Sequence, residues 1–331
     1  MITAYAKNYL AKKIHGPAYV THPMLASLYL THRCNLACVY CSDGNGTPFR
    51  EKQVAELSTA EMCRVLDRIV KSVKVLDITG GEPLLRDDIS KILAYARKIG
   101  FRKIILNTNG TMPDRVTDVL KWVDTISISL DSLSPERLMH LYGASEDTAW
   151  DILTTIENLS TSEYRTRVLL SMVMMPDNIE DTYDILDYCE RKRISFTCSP
   201  ALKGIYADES LAHSEAYRNA IDAIIARKKK GLHAVGSIAY YKLIRNFERY
   251  QCYPMLMPVI NPGGRLYVPC LEIEQKMTSL MEYRSLHDAI KHSLTEITYP
   301  PACGNVCHIL CHAGLSILYK NIFTALKEIG I

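Results

Sequence analysis

From Leu25 to Gly204 the chain repeats one pattern six times, a short β-branched run followed by an amphipathic helical segment. The runs are "LASLYLTH", "VKVLDITGG", "KIILNTNG", "TISISLDS", "RVLLSMVMM" and "SFTCSPAL". This alternation confines the fold to parallel βα architectures, because parallel neighbours need a crossover and a helix supplies it. Helix ends are also legible. Ser58 or Thr59 caps "STAEMCRVLDRIV" with Glu61 in its first turn, and Gly100 closes "DDISKILAYARKIG". Several strands end in polar or glycine-rich groups: His32-Arg33-Cys34, Gly80-Gly81-Glu82, Asn107-Thr108-Asn109 and Ser129-Leu130-Asp131. The carboxyl edge of a parallel sheet is where loops and helix N-termini converge, so the chemistry is expected on that rim.

With 331 residues and a net charge of +3, the chain is an ordinary globular protein whose charge gives no reason to expect a nucleic-acid partner. The run Lys228-Lys229-Lys230 ends a helix pattern before Gly231 and reads as a solvated last turn. No apolar stretch reaches the roughly 20 residues that span a bilayer, and "AYAKNYLAKKIHG" lacks the apolar core of a signal peptide. A cytoplasmic location is therefore expected, in which clustered cysteines serve as metal ligands and not as disulfides. After Gly231 the composition shifts, with four prolines and a Pro-Gly-Gly turn in "CYPMLMPVINPGGRLYVPC". The expected division is an N-terminal amphipathic helix and linker over 1–24, a barrel over 25–231 and a smaller hairpin-bearing unit over 232–331.

Cys34, Cys38 and Cys41 offer three thiols from one loop. Structural zinc prefers four protein ligands in paired knuckles, and no second pair follows at close range. Thiolates select soft metals and iron-sulfur clusters, and three ligands leave one iron of a four-iron cluster open to another molecule.

The pattern C-x3-C-x-aromatic-C, formed by Cys34, Cys38, Tyr40 and Cys41, resembles the signature of the radical S-adenosylmethionine (radical SAM) superfamily. "TGGEPLL" is similar to its GGEP motif, and "NTNGT" and "SLDS" resemble further family elements in the expected order. The resemblance covers roughly residues 24 to 204 and implies a partial (β/α)6 TIM-like barrel. It implies that Cys34, Cys38 and Cys41 hold a [4Fe-4S] cluster that reduces S-adenosylmethionine to methionine and a 5′-deoxyadenosyl radical. Tyr40 would lie by the adenine, Gly80, Gly81, Glu82 and Pro83 would receive the methionine ammonium, and Ser129 would contact the ribose or carboxylate. Asn109 and Asp131 are carried over as further cofactor contacts, with turn formation or capping as the alternative. A low-potential electron donor such as flavodoxin or ferredoxin is implied as a partner.

Five more cysteines follow the barrel: Cys252, Cys270, Cys303, Cys307 and Cys311. Cys252 and Cys270 bracket a hairpin pattern with its turn at Pro262-Gly263-Gly264. "CGNVCHILC" spaces three thiols by four residues, which on a helix would lie along one face. Hairpin followed by cysteine-rich helix resembles the auxiliary-cluster domains called SPASM and Twitch, which implies a second [4Fe-4S] cluster. Its expected ligands are Cys252, Cys270 and two of Cys303, Cys307 and Cys311, with His308 or His312 as substitutes. Cys63, Cys189 and Cys198 read as core residues.

The terminal helices place Ile2, Tyr5, Ala6, Tyr9, Leu10 and Ile14, and Leu315, Leu318, Ile322, Leu326 and Ile329, on single faces. Packing against the end of the barrel is expected, with contact to a membrane surface as the other reading. In that second case the substrate would be hydrophobic, such as a tetrapyrrole or a lipid. An auxiliary cluster can take an electron from a substrate radical, which favours net oxidation of a small-molecule or cofactor-pathway substrate. Maturation of a ribosomal peptide is the rival. It is weakened by the few residues that precede Cys34, too few for the N-terminal peptide-recognition domain such enzymes often carry.

Overall fold

The computed structural model describes residues 2–15, 20–161, 165–298, 303 and 305–321. All six strand runs form: β1 (Ala26–Tyr29), β2 (Val75–Thr79), β3 (Lys103–Thr108), β4 (Thr125–Ser129), β5 (Arg167–Met174) and β6 (Ser195–Pro200). Five further short strands follow, β7 (Leu202–Lys203), β8 (Tyr206–Ala207), β9 (Val259–Ile260), β10 (Arg265–Val268) and β11 (Lys276–Ser279). The first six helices are α1 (Ile2–His15), α2 (Thr59–Val70), α3 (Ile89–Lys98), α4 (Pro113–Val119), α5 (Pro135–Tyr142) and α6 (Glu146–Thr161). The remainder are α7 (Asp181–Lys192), α8 (Glu209–Ala212), α9 (Glu215–Lys229), α10 (Ile238–Asn246), α11 (Leu286–Leu294) and α12 (Leu310–Lys320).

β1 to β6 are parallel and adjacent in chain order, giving the open, TIM-like (β/α)6 sheet that the alternation demands. Ser58 caps α2 in a reciprocal capping box with Glu61. On β4 the even residues Ile126 and Ile128 pack into the core beneath the helices, so Ser127 and Ser129 turn to the concave side. That period of two lines the inside of the barrel with Ser27, Asp77, Asn107, Ser127, Ser171 and Thr197.

The composition shift after Gly231 does not separate the sheet. β9 adds in parallel to β1, and the β9–β10 hairpin turns at the expected Pro262-Gly263-Gly264, so the sheet runs β11-β10-β9-β1-β2-β3-β4-β5-β6. The described part of the stretch 303–309, residues 303 and 305–309, departs from expectation. It is not helical, and only Cys311 lies on a helix, because α12 starts at Leu310. Four-residue spacing therefore does not place these three thiols on one face.

α1 docks by only part of the expected apolar face, through Tyr5, together with the neighbouring Asn8. Tyr5 meets the Tyr319 ring edge-on at 5.3 Å, and buried Asn8 bonds the main chain of Thr21 and His22. Tyr9, Leu10 and Ile14 stay exposed, against the expected packing, because Asn8 finds its main-chain partners on the opposite side. Leu315 and Leu318 of α12 face the barrel, while Ile322, Leu326 and Ile329 lie outside the described residues. Among the described residues no helix is long and apolar enough to cross a membrane.

Candidate active site

The loop after β1 brings Cys34, Cys38 and Cys41 to the carboxyl rim, two half-buried and Cys41 exposed. It is pinned on three sides. Ala37 and Val39 donate main-chain bonds to Tyr142 and Leu141 at the end of α5. Gly81 and Glu82 donate theirs to the carbonyls of Thr31 and Arg33. A Cβ on Gly81 would stand 2.2 Å from the Arg33 oxygen, and one on Gly80 2.4 Å from that of Thr31, so only glycine lets these two loops touch.

The third fastening is an amide triangle. Asn109 Nδ2 donates to Asn35 Oδ1 at 2.9 Å, Asn35 Nδ2 donates to Thr111 Oγ1 at 2.7 Å, and Thr111 donates to Asn109 Oδ1. Asn109 Nδ2 also lies 3.9 Å from the Cys34 sulfur, which accepts from the Leu36 amide at 3.4 Å. Amide donors aimed at a sulfur favour the thiolate that a cluster requires. Burial opposes it, raising the Cys34, Cys38 and Cys41 thiols above their ordinary range in the metal-free protein. Three convergent thiols with amide support fit a cuboidal cluster. Among the described residues no group of three or more His, Cys, Asp or Glu side chains is already arranged around a single ion.

Two acids of the motifs turn inward and not toward a ligand. Glu82 is inaccessible to solvent and accepts from Leu84 N, Thr108 Oγ1 and Asn109 N at 2.9, 2.9 and 2.7 Å. Asp131, equally buried, accepts from Tyr40 Oη at 2.6 Å and Val173 N at 2.7 Å. Glu82 therefore ties the β2 loop to β3, and Asp131 holds the Tyr40 ring where it lines the central cavity. Of Gly80 to Pro83, Gly80 and Gly81 are half-buried and carry no side chain, while Glu82 and Pro83 are buried. Ser129 ends β4 opposite Ser171. Sequence reasoning overlooked Asn35, Thr111 and the Glu56–Arg86–Asp88 network, in which Arg33 bonds Glu56 at 2.8 Å and Arg86 bonds Asp88 at 2.7 Å. Polar residues flanking the cysteine and GGEP loops were the available signal.

Burial lifts the Glu82 carboxyl to about 7, outweighing three hydrogen bonds that lower it. The native chain thus holds a proton there between about 4.5 and 7 that the unfolded chain releases. This group's stability is complete below the unfolded value and is lost as pH rises to the folded one. Glu82→Gln does not titrate, so its penalty relative to wild type should shrink on the order of 3 kcal/mol between pH 4.5 and 7.5. Urea unfolding of the metal-free proteins checks this, and a pH-independent penalty would show that the carboxyl is ionised throughout.

The second cysteine group divides. Cys252, Cys270, Cys303 and Cys307 line one small cavity with His312, Tyr250, Asn305 and Glu272. The buried His312 Nδ1 has no hydrogen-bond partner there, and burial lowers the ring to about 4, leaving it neutral. Cys252 and Cys270 are pushed up to about 12 by burial. Four thiols around one cavity, with an orphaned imidazole in its wall, fit a second cluster. His308 faces elsewhere, its Nε2 3.0 Å from the Glu248 carbonyl oxygen. Cys311 instead lines the central cavity of the barrel, about 490 Å³, together with Tyr40, Asp77, Asn107, Ser127, Ser171, Thr197 and Glu272. Glu272 borders both cavities. Cys189 and Cys198 are core residues, as expected, and Cys63 is half-buried.

Residues 28–189 match the Radical SAM superfamily. The chain is 32% identical over 178 residues to the "Probable GTP 3',8-cyclase" of Methanothermobacter thermautotrophicus, covering 51% of this chain and 54% of that one. It is 32% identical over 221 residues to the "Fe-coproporphyrin III synthase" of Methanosarcina barkeri, covering 62% and 52%. The aligned parts thus span about half the length of these relatives. In fold it resembles Streptococcus suis SuiB solved with S-adenosylmethionine, with a TM-score of 0.64 at 17% identity over 92% of this chain and 72% of that one. Residues 28–189, which carry the rim loop of three thiols, thus form a radical SAM domain, of a superfamily that works with a [4Fe-4S] cluster and S-adenosylmethionine.

Proposed function

We propose that this enzyme carries out net oxidation of a small-molecule, cofactor-pathway substrate, passing an electron to an auxiliary [4Fe-4S] cluster. The observation that carries it is the cavity framed by Cys252, Cys270, Cys303 and Cys307, which shares the Glu272 wall with the central chamber. In this reading residues 232–331 are the auxiliary-cluster unit and Cys34, Cys38 and Cys41 hold the radical-generating cluster. The groups bound there would supply, respectively, an electron acceptor and the 5′-deoxyadenosyl radical that removes a substrate hydrogen.

The chain's own residues place and enclose the reactants. Tyr40, fixed by Asp131, walls the chamber beside the cysteine loop. The main chain of Gly80 to Pro83 supplies carbonyls to an ammonium, and Ser129 and Ser171 supply hydroxyls at the strand ends. α12 lies across the chamber with Leu310, Leu315 and Leu318 inward, which keeps water from a reactive radical. The names of the relatives support a cofactor-pathway substrate.

The test is anaerobic. Wild-type protein reduced with dithionite should release 5′-deoxyadenosine from S-adenosylmethionine. It should also show two reduced-cluster resonances by electron paramagnetic resonance, only one of which shifts when S-adenosylmethionine is added. A single resonance would remove the electron acceptor and with it the oxidation.

A further inference from the structure

The inner face of β2 carries an acid that the proposed reaction leaves unused. Asp77 is the one charged residue of β2 and points into the central cavity, one inner-face residue below Thr79 and level with Ser27 and Ile105. It lies deeper than the strand ends where the cosubstrate binds in the proposed reading. Ser27 Oγ donates to its Oδ2 at 3.0 Å and Asn107 Nδ2 to its Oδ1 at 2.7 Å, so the carboxylate is held in one orientation with lone pairs to spare. Among the described residues no lysine, arginine or histidine lines this cavity, and its second acid is Glu272. The rest of the wall is hydroxyls and aliphatic side chains, including Ser127, Thr197, Ile105, Leu169 and Val235. Arg102, Lys203 and Arg265 are not in it.

A buried carboxylate without a counter-charge is costly, and burial raises the Asp77 carboxyl accordingly. A ligand that brings a cation relieves that cost. A polyphosphate or polycarboxylate would instead meet two acids with no cationic side chain among the described lining residues to offset its charge. We propose that Asp77 anchors the protonated amine of a small, singly cationic substrate whose body is apolar or hydroxylated. This rests on the reading of the central cavity as the substrate chamber, and it sets this chain apart from enzymes that take nucleoside triphosphates or carboxylated tetrapyrroles.

The test uses the cluster-loaded protein with S-adenosylmethionine bound, under argon, and equilibrium dialysis against benzylamine, benzyl alcohol and benzoate. Benzylamine should bind about tenfold more tightly than the alcohol, with benzoate weakest. Asp77→Asn, verified as folded by circular dichroism, should erase the preference for the amine over the alcohol. Equal binding of the three by wild type, or an unchanged preference in Asp77→Asn, overturns the proposal. The wild-type order stands as a test should the variant fail to fold. Deoxyadenosine release by the same wild-type preparation reports separately on the activity. Amine preference without cleavage keeps the anchor and sinks the radical reaction, whereas cleavage without the preference does the reverse.

Discussion

Replacing Cys34, Cys38 and Cys41 together with alanine should lower iron from about eight to about four atoms per chain and reduce deoxyadenosine formation to background. The expected loss is complete because the three thiols sit on one loop and no other thiol lines that rim. The fold should persist. The loop is fastened by main-chain bonds to Tyr142, Leu141, Gly81 and Glu82 and by the Asn35–Asn109–Thr111 triangle, none of which uses a sulfur. Chemical iron analysis, circular dichroism and a chromatographic assay for deoxyadenosine check all three statements. Full iron retention would show that the ligands lie elsewhere.

The second large effect separates the remaining thiols. Cys270→Ala should lose about four irons and end substrate turnover while some uncoupled cleavage survives, whereas Cys311→Ala should keep about eight. The contrast follows from the two cavities. Cys270 shares its cavity with Cys252, Cys303 and Cys307, while Cys311 opens into the barrel beside Asp77 and Glu272. Iron counts and Mössbauer spectra of the two variants decide it. A loss of iron in Cys311→Ala would mean that α12 rotates to bring this thiol to the auxiliary group. Loss of all cleavage in Cys270→Ala would make the auxiliary site structural.

Much of the architecture is legible because it depends on local pattern. Runs such as Val75–Thr79 and Thr125–Ser129 alternate with capped helices, and each strand pairs with its sequence neighbour, so order and direction follow from the βα repeat. Cys34, Cys38 and Cys41 are equally legible, since their eight-residue span keeps them together in any fold. Gly80 and Gly81 declared a close approach. Their partners, the carbonyls of Thr31, His32 and Arg33, did not declare themselves.

The amino-acid sequence by itself determined what contiguous residues can fix: the parallel βα barrel, the rim loop with three thiols and the glycines that let a second loop touch it. Tertiary structure alone decided which distant groups share a space. It placed Cys303 and Cys307 with Cys252 and Cys270, and sent Cys311 into the barrel, because residues 305–309 are not helical and the helix begins only at Leu310. It turned Glu82 and Asp131 inward, where buried main-chain amides needed acceptors, and left Asp77 facing the chamber. These choices were settled by the cost of burying a polar group without a partner, and whether a partner is within reach depends on where strands far apart in sequence are brought together.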